Sequence, residues 1–312
     1  MKKKQIASMI ILPLIILGIM IVISPFFTRQ EDYIHWNSFY AQEDNSIDIL
    51  LLGSSIIEVA IDPYQLEEET GLSAFNFGVA GCSSSVRAGY LREVLKNQNP
   101  KLVVVEVYRF IPTHSPWAMS TDNASFALDG MKPSWNKWRT IWEMPVSGDP
   151  FEKISFLIPG EHHQWEALNA NGYTSLREQT YDRPKWNGTQ NSVAPQKPNT
   201  VPSTEVLEPT KEMTDQIDKL IEICQENDIQ LLFFNASNPE YIGESYAYIN
   251  GMYQYLDSKG IPHFDINYEP ELLAQIDNSE DYFDYHHLND KGAKKNTTFL
   301  ADYINENFLR KD

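Results

Sequence analysis

A serine, an aspartate and a histidine in this chain have the spacing expected of a nucleophile and its base. Ser55 lies just after the largely apolar run at 47–52, and far along the chain Asp284 precedes His287 by three residues. An imidazole whose tautomer is fixed by a carboxylate can accept the proton of a serine hydroxyl. The three residues therefore predict acyl-transfer chemistry, provided that the fold brings the two ends together.

Each of the two motifs also has a simpler explanation. Ser54 and Ser55 could only cap the helix that follows the strand, and the segment 284–289 could be an exposed polar turn. Ser54 is a second candidate nucleophile. His286 is a second candidate base, although Phe283, not an acid, stands three residues before it. The occurrence of both motifs in one chain favours the catalytic interpretation.

The elements around these motifs alternate between strands and helices. Apolar or β-branched runs predict buried strands at 47–52, 74–77, 102–107, 230–234 and 262–266. Amphipathic or capped segments predict helices at 62–69, 83–97, 212–227, 245–258 and 290–308. This order is typical of a doubly wound parallel sheet. The sequence therefore predicts an α/β fold of flavodoxin-like type, in which the carboxyl ends of the strands form the ligand crevice.

The segment at about 111–209 interrupts this alternation. A structureless loop of that length is uncommon in a compact domain, so we predict an inserted lid with short helices near 134–143 and 164–169, and a loop at 190–202. The segment contains six of the seven tryptophans, which are Trp117, Trp135, Trp138, Trp142, Trp165 and Trp186. Their rings could stack on sugars, or they could form the core of the insertion itself.

The first residues predict a membrane anchor. Three lysines at 2–4 precede an apolar run at 6–27 that carries no charge. Such a run is long enough to cross a bilayer as a helix, and the lysines favour a cytoplasmic N-terminus. A cleaved signal peptide is the alternative, but 22–25 is a poor cleavage site. We therefore predict an anchor at 1–28, a polar juxtamembrane stalk at 29–46, and one domain at 47–312.

Composition limits the partners. The net charge is −18, with 43 acidic residues against 25 basic ones. Phosphate binding needs a basic surface, which argues against nucleic acid. Cys82 and Cys224 are too few for a disulfide framework, and they could pair or remain as buried thiols. Glu161, His162 and His163 lack a further ligand at a suitable spacing. We therefore predict no metal and no cofactor.

The motifs together resemble those of the SGNH, or GDSL-type, hydrolases. Residues 53–55 resemble the first sequence block, with Ser55 in the place of the nucleophile. Residues 76–81 resemble the second block, whose last glycine donates an oxyanion N–H. Residues 284–289 resemble the fifth block, which holds the acid and the histidine. The resemblance covers about 47–110 and 212–309.

This resemblance implies roles for individual residues. Ser55 would be the nucleophile, His287 the base and Asp284 the acid that orients it. The N–H groups of Ser55 and Gly81 would bind the oxyanion.

One block departs from the family pattern. The third block places an asparagine just after the third strand, and the segment 106–110 contains none. Removal of one oxyanion donor typically costs about 10²–10³ in rate. Either Tyr108 or Arg109 replaces it, or the site works with two donors, or the site is impaired.

The chain is most similar to the membrane-anchored, extracytoplasmic branch of that family. Members of this branch include a teichoic-acid D-alanylation protein and the partners of membrane-bound O-acyltransferases. The resemblance implies an anchored, single-pass serine esterase or O-acyltransferase, acting outside the cell membrane on acyl groups of cell-envelope polysaccharide or teichoic acid. A membrane-bound O-acyltransferase would be a candidate partner. The alternative is a catalytically impaired protein of the same fold that binds glycan or assists an acylation complex.

Overall fold

A computed structural model describes the sheet, most of its helices and part of the insertion. The five-stranded sheet has the order β2-β1-β3-β4-β5, and all neighbouring strands are parallel. This is the strand order of flavodoxin-like sheets. The described residues are 11–16, 18–19, 30–113, 127–145, 153, 202–241 and 243–309. The strands are β1 (Ile49–Gly53), β2 (Ala74–Gly78), β3 (Leu102–Glu106), β4 (Gln230–Asn235) and β5 (His263–Asp265).

Helices cover the sheet, which explains the uninterrupted apolar strands. Every residue of β1, β2 and β3 is buried, as expected for strands that are covered on both faces. The helices are α1 (Gln30–Tyr40), α2 (Ser55–Ala60), α3 (Pro63–Thr70), α4 (Arg87–Val94), α5 (Trp135–Glu143), α6 (Lys211–Glu226), α7 (Gly243–Ser258), α8 (Pro270–Leu273) and α9 (Asp290–Ile304). Helix α9 packs against α2 and α3, while α4 packs against α5 and α6.

The five predicted strands and the parallel sheet are confirmed, with shifted ends. The first strand begins two residues later than predicted and extends through Gly53. The helix predicted at 83–97 begins as a 3₁₀ turn at Ser84–Val86, which the Ser83 hydroxyl caps, and continues as the shorter α4. The last helix ends at Ile304 and is followed by a π turn at Asn305–Leu309. The helix expected after the serine turn, for which the sequence set no end, is the short α2.

The segment predicted as a polar stalk belongs to the packed domain, which corrects the boundary at residue 47. Helix α1 places Trp36 and Phe39 in the core, where they are 0% and 3% exposed. The Trp36 ring lies 4.7 Å from that of Phe77 and 4.8 Å from that of Tyr90. The Trp36 indole also donates a hydrogen bond of 3.1 Å to the carbonyl of Ala127. These two aromatic residues, with the hydrogen bond of Tyr40 to Glu93, hold the segment on the domain.

The insertion is described only in part. Helix α5 lies where a helix was predicted, and Ser134 caps its N-terminus. Three of its tryptophans, Trp135, Trp138 and Trp142, are 83%, 48% and 70% exposed, so these three do not form an internal core. The helix predicted at 164–169, most of the loop at 190–202, and Trp117, Trp165 and Trp186 lie outside the described residues.

Two further predictions concern the N-terminus and the cysteines. Within the ranges described, the structure contains no helix with the length and apolar character needed to span a bilayer. Most of the apolar run at 6–27 lies outside those ranges. Cys82 and Cys224 are both buried free thiols.

Candidate active site

The two distant motifs meet at the carboxyl edge of the sheet. The Nε2 atom of His287 lies 2.8 Å from the Oγ atom of Ser55, although 232 residues separate them in sequence. On the other side of the same ring, Nδ1 lies 2.7 Å from the Oδ2 atom of Asp284. Both distances are those of hydrogen bonds. The arrangement has the connectivity of a serine, histidine and aspartate triad.

The turn from β1 into α2 separates the roles of the two serines. Ser54 is fully buried, with extended backbone, and its hydroxyl accepts a hydrogen bond of 3.3 Å from the N–H of Ile56. Ser55 begins α2, and its hydroxyl faces the imidazole of His287. The helix-capping explanation is therefore correct for Ser54, which leaves Ser55 as the candidate nucleophile.

A local loop holds the acid and the histidine. Asp284 Oδ1 accepts the backbone N–H groups of His286 and His287, at 2.9 and 2.8 Å. The N–H of Phe283 donates to the carbonyl of His287 at 2.7 Å. Asn289 then caps the start of α9 by accepting the N–H groups of the helix's first turn. These bonds lie within one short segment, so this loop largely specifies its own geometry.

The hydrogen bonds to Asp284 determine its charge state. Burial raises the pKa of this carboxyl, but the N–H of His286 and the ring and N–H of His287 lower it further, so the net pKa is below the usual value. Asp284 is therefore ionised at neutral pH and accepts from Nδ1 of His287. We assign the proton of neutral His287 to Nδ1, which leaves Nε2 free to accept from the Ser55 hydroxyl.

The second sequence block fastens β2 to the helix that carries Ser55. The Asn76 side chain donates hydrogen bonds of 2.9 Å to the carbonyls of Ile57 and Ile61. Its oxygen accepts the N–H of Gly78, also at 2.9 Å. A Cβ atom at Gly78 would lie 2.6 Å from the backbone nitrogen of Glu58, so only glycine allows this approach. Asn76 and Gly78 therefore have a supporting role.

Two backbone N–H groups follow the carboxyl ends of the neighbouring strands β1 and β2. Gly81 follows the end of β2 in a left-handed conformation, with φ of 67°. In the part of the chain that the structure describes, the N–H groups of Ser55 and Gly81 donate to no other group. The Ser55 N–H also lies at the first position of a helix, where the backbone favours negative charge. Both groups are suitable candidates for an oxyanion site.

Tyr108 and Arg109 form a wall next to the triad. The Tyr108 hydroxyl donates to Glu240 Oε2 at 2.9 Å, and its ring centroid lies 5.8 Å from that of His286. Burial, with Glu240 nearby, raises the pKa of Tyr108, so the phenol stays protonated. The Arg109 guanidinium lies 5.5 Å from the centroid of the Tyr108 ring. Replacement of the third-block asparagine by Tyr108 or Arg109 stays a prediction.

His286 is held away from the serine. Its Nδ1 atom lies 3.2 Å from Glu240 Oε2, while its ring centroid is 4.0 Å from that of His287. Burial and the adjacent His287 lower the pKa of His286 to about 4, so it is neutral at pH 7. Its environment therefore differs from that of the histidine that contacts Ser55.

The same loop contains the one set of described side chains with metal-ligand spacing. Ligand atoms of Asp284, His286 and His287 lie within 4.8 Å of one another. However, both oxygens of Asp284 accept hydrogen bonds, and the imidazole of His287 bridges Asp284 and Ser55. These atoms therefore fit a hydrogen-bonded triad better than a metal centre. The candidate metal segment at 161–163 lies outside the described residues.

The sequence interpretation missed a pair of charges beneath the serine turn. Arg87 and Glu106 are 0% and 1% exposed, and the guanidinium Nη2 lies 3.2 Å from Glu106 Oε2. The carboxylate also accepts the backbone N–H of Ser54. The sequence did contain a signal for this pair, because Glu106 is the one acid in the otherwise apolar strand β3. A charged residue is rarely buried in such a strand without a partner.

Comparisons with known proteins leave the family open. No family model matches this chain, and no curated protein matches it. A search of solved structures finds a crystal structure described as a putative acylhydrolase from Bacteroides fragilis, with 13% identity and a TM-score of 0.41. The alignment covers 89% of this chain and 96% of the other. A likeness of this size carries no argument about activity, so the chemical interpretation rests on the site geometry.

Proposed function

We propose that the protein is a serine hydrolase or acyltransferase that cleaves an ester by way of an acyl-enzyme. The observation that carries the proposal is the hydrogen bond of 2.8 Å between Ser55 Oγ and His287 Nε2, with Asp284 on the opposite ring nitrogen. This is the arrangement in which a base activates a serine hydroxyl.

The proposed reaction has two halves. In the first, Ser55 Oγ forms a bond with the acyl carbonyl carbon while its proton moves to His287 Nε2. The bond to the leaving alcohol then breaks, and His287 returns the proton to that alcohol. In the second half, water or a glycan hydroxyl attacks the acyl-serine by the same route in reverse. The N–H groups of Ser55 and Gly81 would stabilise the oxyanion in both halves.

The substrate class and the location are part of the proposal. We propose an acyl group, acetyl or D-alanyl, on cell-envelope polysaccharide or teichoic acid outside the membrane. The uncharged apolar run at 6–27 after three lysines supports an anchored, extracytoplasmic protein. A membrane-bound O-acyltransferase is the proposed partner. Arg109 beside the site could offset the acidic surface for an anionic glycan.

A serine-directed fluorophosphonate probe and hydrolysis of p-nitrophenyl acetate test the activity. We expect the folded wild type to be labelled, and Ser55→Ala to lose labelling and on the order of 10⁴-fold or more in kcat. His287→Gln should act similarly. The matched control, His286→Gln, should stay within about tenfold of wild type, since in the described ranges the imidazole that bonds to the hydroxyl is that of His287. Full activity in Ser55→Ala would refute the proposal.

The second candidate is a glycan-binding accessory protein without catalysis. The absent third-block asparagine favours it, as do the exposed indoles of Trp135, Trp138 and Trp142 on one helix. Folded wild-type protein that resists labelling, yet binds acylated envelope glycan less well after substitution of these tryptophans by alanine, would support this alternative.

A further inference from the structure

A buried ion pair lies directly beneath the serine turn and takes no part in the chemistry proposed above. The side chains of Arg87 and Glu106 are each 1% exposed. Isolated buried charges are costly, and a buried pair is weak evidence for stability, because apolar residues of similar volume often serve as well. Stability alone therefore does not explain why a buried ion pair lies at this position in the fold.

The Glu106 carboxylate connects three separate segments. One oxygen, Oε2, accepts the N–H of Ser54 and faces Nη2 of Arg87 at 3.2 Å. The other, Oε1, accepts the N–H of Arg109 at 3.2 Å. Arg87 also donates through Nη1 to the backbone carbonyl of Glu106 itself. One side chain at the end of β3 therefore joins the serine turn, the first residue of α4 and the N–H of Arg109 in the wall next to the triad.

The contact with Ser54 constrains the next residue. The backbone of Ser54 is extended, with φ of −97° and ψ of −165°. Its N–H is directed at Glu106, so the Gly53–Ser54 peptide plane cannot rotate without loss of a charge-assisted bond. The next plane, which carries the Ser55 N–H, is held where the Ser54 carbonyl accepts the N–H of Glu58 at 3.1 Å. Together the two bonds set where the hydroxyl and the N–H of Ser55 point. Gly53 permits the approach, since a methyl group there would overlap the carboxylate.

Arg87 balances the charge that this arrangement brings to the site. A lone carboxylate next to the serine turn would repel the oxyanion that develops on the substrate. The guanidinium offsets that charge, and it also lies 5.1 Å from the centroid of the Phe110 ring. The pair can thus orient the turn without placing net negative charge under it.

We infer that Glu106, held by Arg87, is a positioning residue for Ser55. It fixes the serine turn so that the Ser55 hydroxyl meets His287 and the Ser55 N–H faces the oxyanion. This inference rests on the proposed function, because it assigns a role only within Ser55 chemistry.

The test compares two double variants that both remove the ion pair. Arg87→Met with Glu106→Leu keeps the volume but removes the acceptor for the Ser54 N–H. Arg87→Met with Glu106→Gln keeps an amide oxygen that can accept it. Using p-nitrophenyl acetate, we expect the leucine variant to lose about 10²-fold in kcat with KM little changed, the size of effect that misplacement by about 1 Å produces. The glutamine variant should recover at least about tenfold of that loss.

A matched pair away from the site serves as control. Arg92 and Glu143 form an ion pair of 2.9 Å between α4 and α5, and the double substitution Arg92→Met with Glu143→Leu should leave kcat unchanged. The rate of fluorophosphonate labelling should follow kcat in each variant.

The outcomes separate this inference from the proposed function. If the leucine variant is folded and has wild-type kcat and labelling, while Ser55→Ala has neither, the positioning role is refuted and the serine chemistry stands. If folded wild type is not labelled, the proposed function fails first. Should the leucine variant not fold, Glu106→Asp decides, since the shorter side chain keeps a charge near Arg87 but withdraws from Ser54. A loss of about tenfold supports the role, and wild-type kcat refutes it.

Discussion

Two turns bring the proposed chemistry together, and they are held in opposite ways. The serine turn, residues 53–55, bonds to Glu106, which lies 52 residues away from Ser54 and is buried. The histidine turn, residues 282–289, is held mainly by its own bonds. Its Asp284 and His287 side chains are 30% and 22% exposed.

Because the two turns are held differently, substitutions at one should mainly change stability and substitutions at the other should mainly change the reaction rate. Side chains below the serine turn are paired buried charges, so replacement of one partner alone should lower the free energy of unfolding strongly. The Asp284 and His287 side chains of the histidine turn are partly exposed, so their replacement should change the rate far more than the stability. Substitutions in the two turns should therefore produce different ratios of lost activity to lost stability.

The largest expected effect is on the rate, in Asp284→Asn. The amide oxygen can still accept the N–H groups of His286 and His287, so the turn should remain folded. The amide cannot stabilise the imidazolium as a carboxylate does and favours the wrong tautomer of His287. By analogy with other triads, kcat for p-nitrophenyl acetate should fall by about 10⁴.

Asp277→Asn is the matched control for that substitution. Asp277 also accepts a backbone N–H two residues on, that of Ser279 at 2.8 Å, and it lies shortly before the histidine turn. Its substitution should leave kcat near the wild-type value. A similar loss in both variants, or a large loss of stability in Asp284→Asn, would contradict the contrast between the turns.

The next effect is on stability, in Arg87→Met. The substitution leaves the Glu106 carboxylate buried without its cation, which typically costs about 3–5 kcal/mol. Arg139→Met removes a pair with Glu143 in which the arginine is 52% exposed, and it should cost about 1 kcal/mol or less. Urea unfolding followed by far-UV circular dichroism measures both. Equal costs would show that the serine turn has no special buried support.

The same contrast explains what the sequence could predict. The strands were predictable because parallel strands covered on both faces are continuously apolar. The Asp284 and His287 motif was predictable because its bonds are local. The different roles of Ser54 and Ser55 could be distinguished only from the geometry of the turn. Glu106 was not identified, because its partners Ser54 and Arg87 are distant in sequence and meet it only in the folded sheet.

The N-terminal segment was misassigned for a related reason. Its polar composition predicts a stalk at 29–46, yet two aromatic side chains, Trp36 and Phe39, bury themselves against the domain. The average polarity of a segment does not show which of its residues will pack against elements that are distant in sequence.

The smallest expected effect is the pH dependence that the histidine turn adds to stability. Burial raises the pKa of Asp284, but hydrogen bonds from His286 and His287 lower it more, so the folded value lies below the usual one. A carboxyl with a lowered folded pKa stabilises the protein above its unfolded pKa, and this contribution is lost as the pH falls through the folded pKa. The stability difference between wild type and Asp284→Asn should therefore be constant near neutral pH and shrink on acidification.

Asp302 is the control, because its pKa is shifted in the opposite direction to that of Asp284. Burial, with Glu69 and Glu306 nearby, raises its pKa, so its contribution is largest below the unfolded pKa and falls as the pH rises through the folded value. Relative to Asp302→Asn, the wild type should therefore gain stability on acidification. Urea unfolding at several pH values between neutral and acid measures both differences, and that for Asp284 should be about 0.2–1 kcal/mol because solvent screens a partly exposed group. If the two differences change in the same direction, the bonds that hold Asp284 do not favour its ionised form, and the histidine turn is not held in the way proposed.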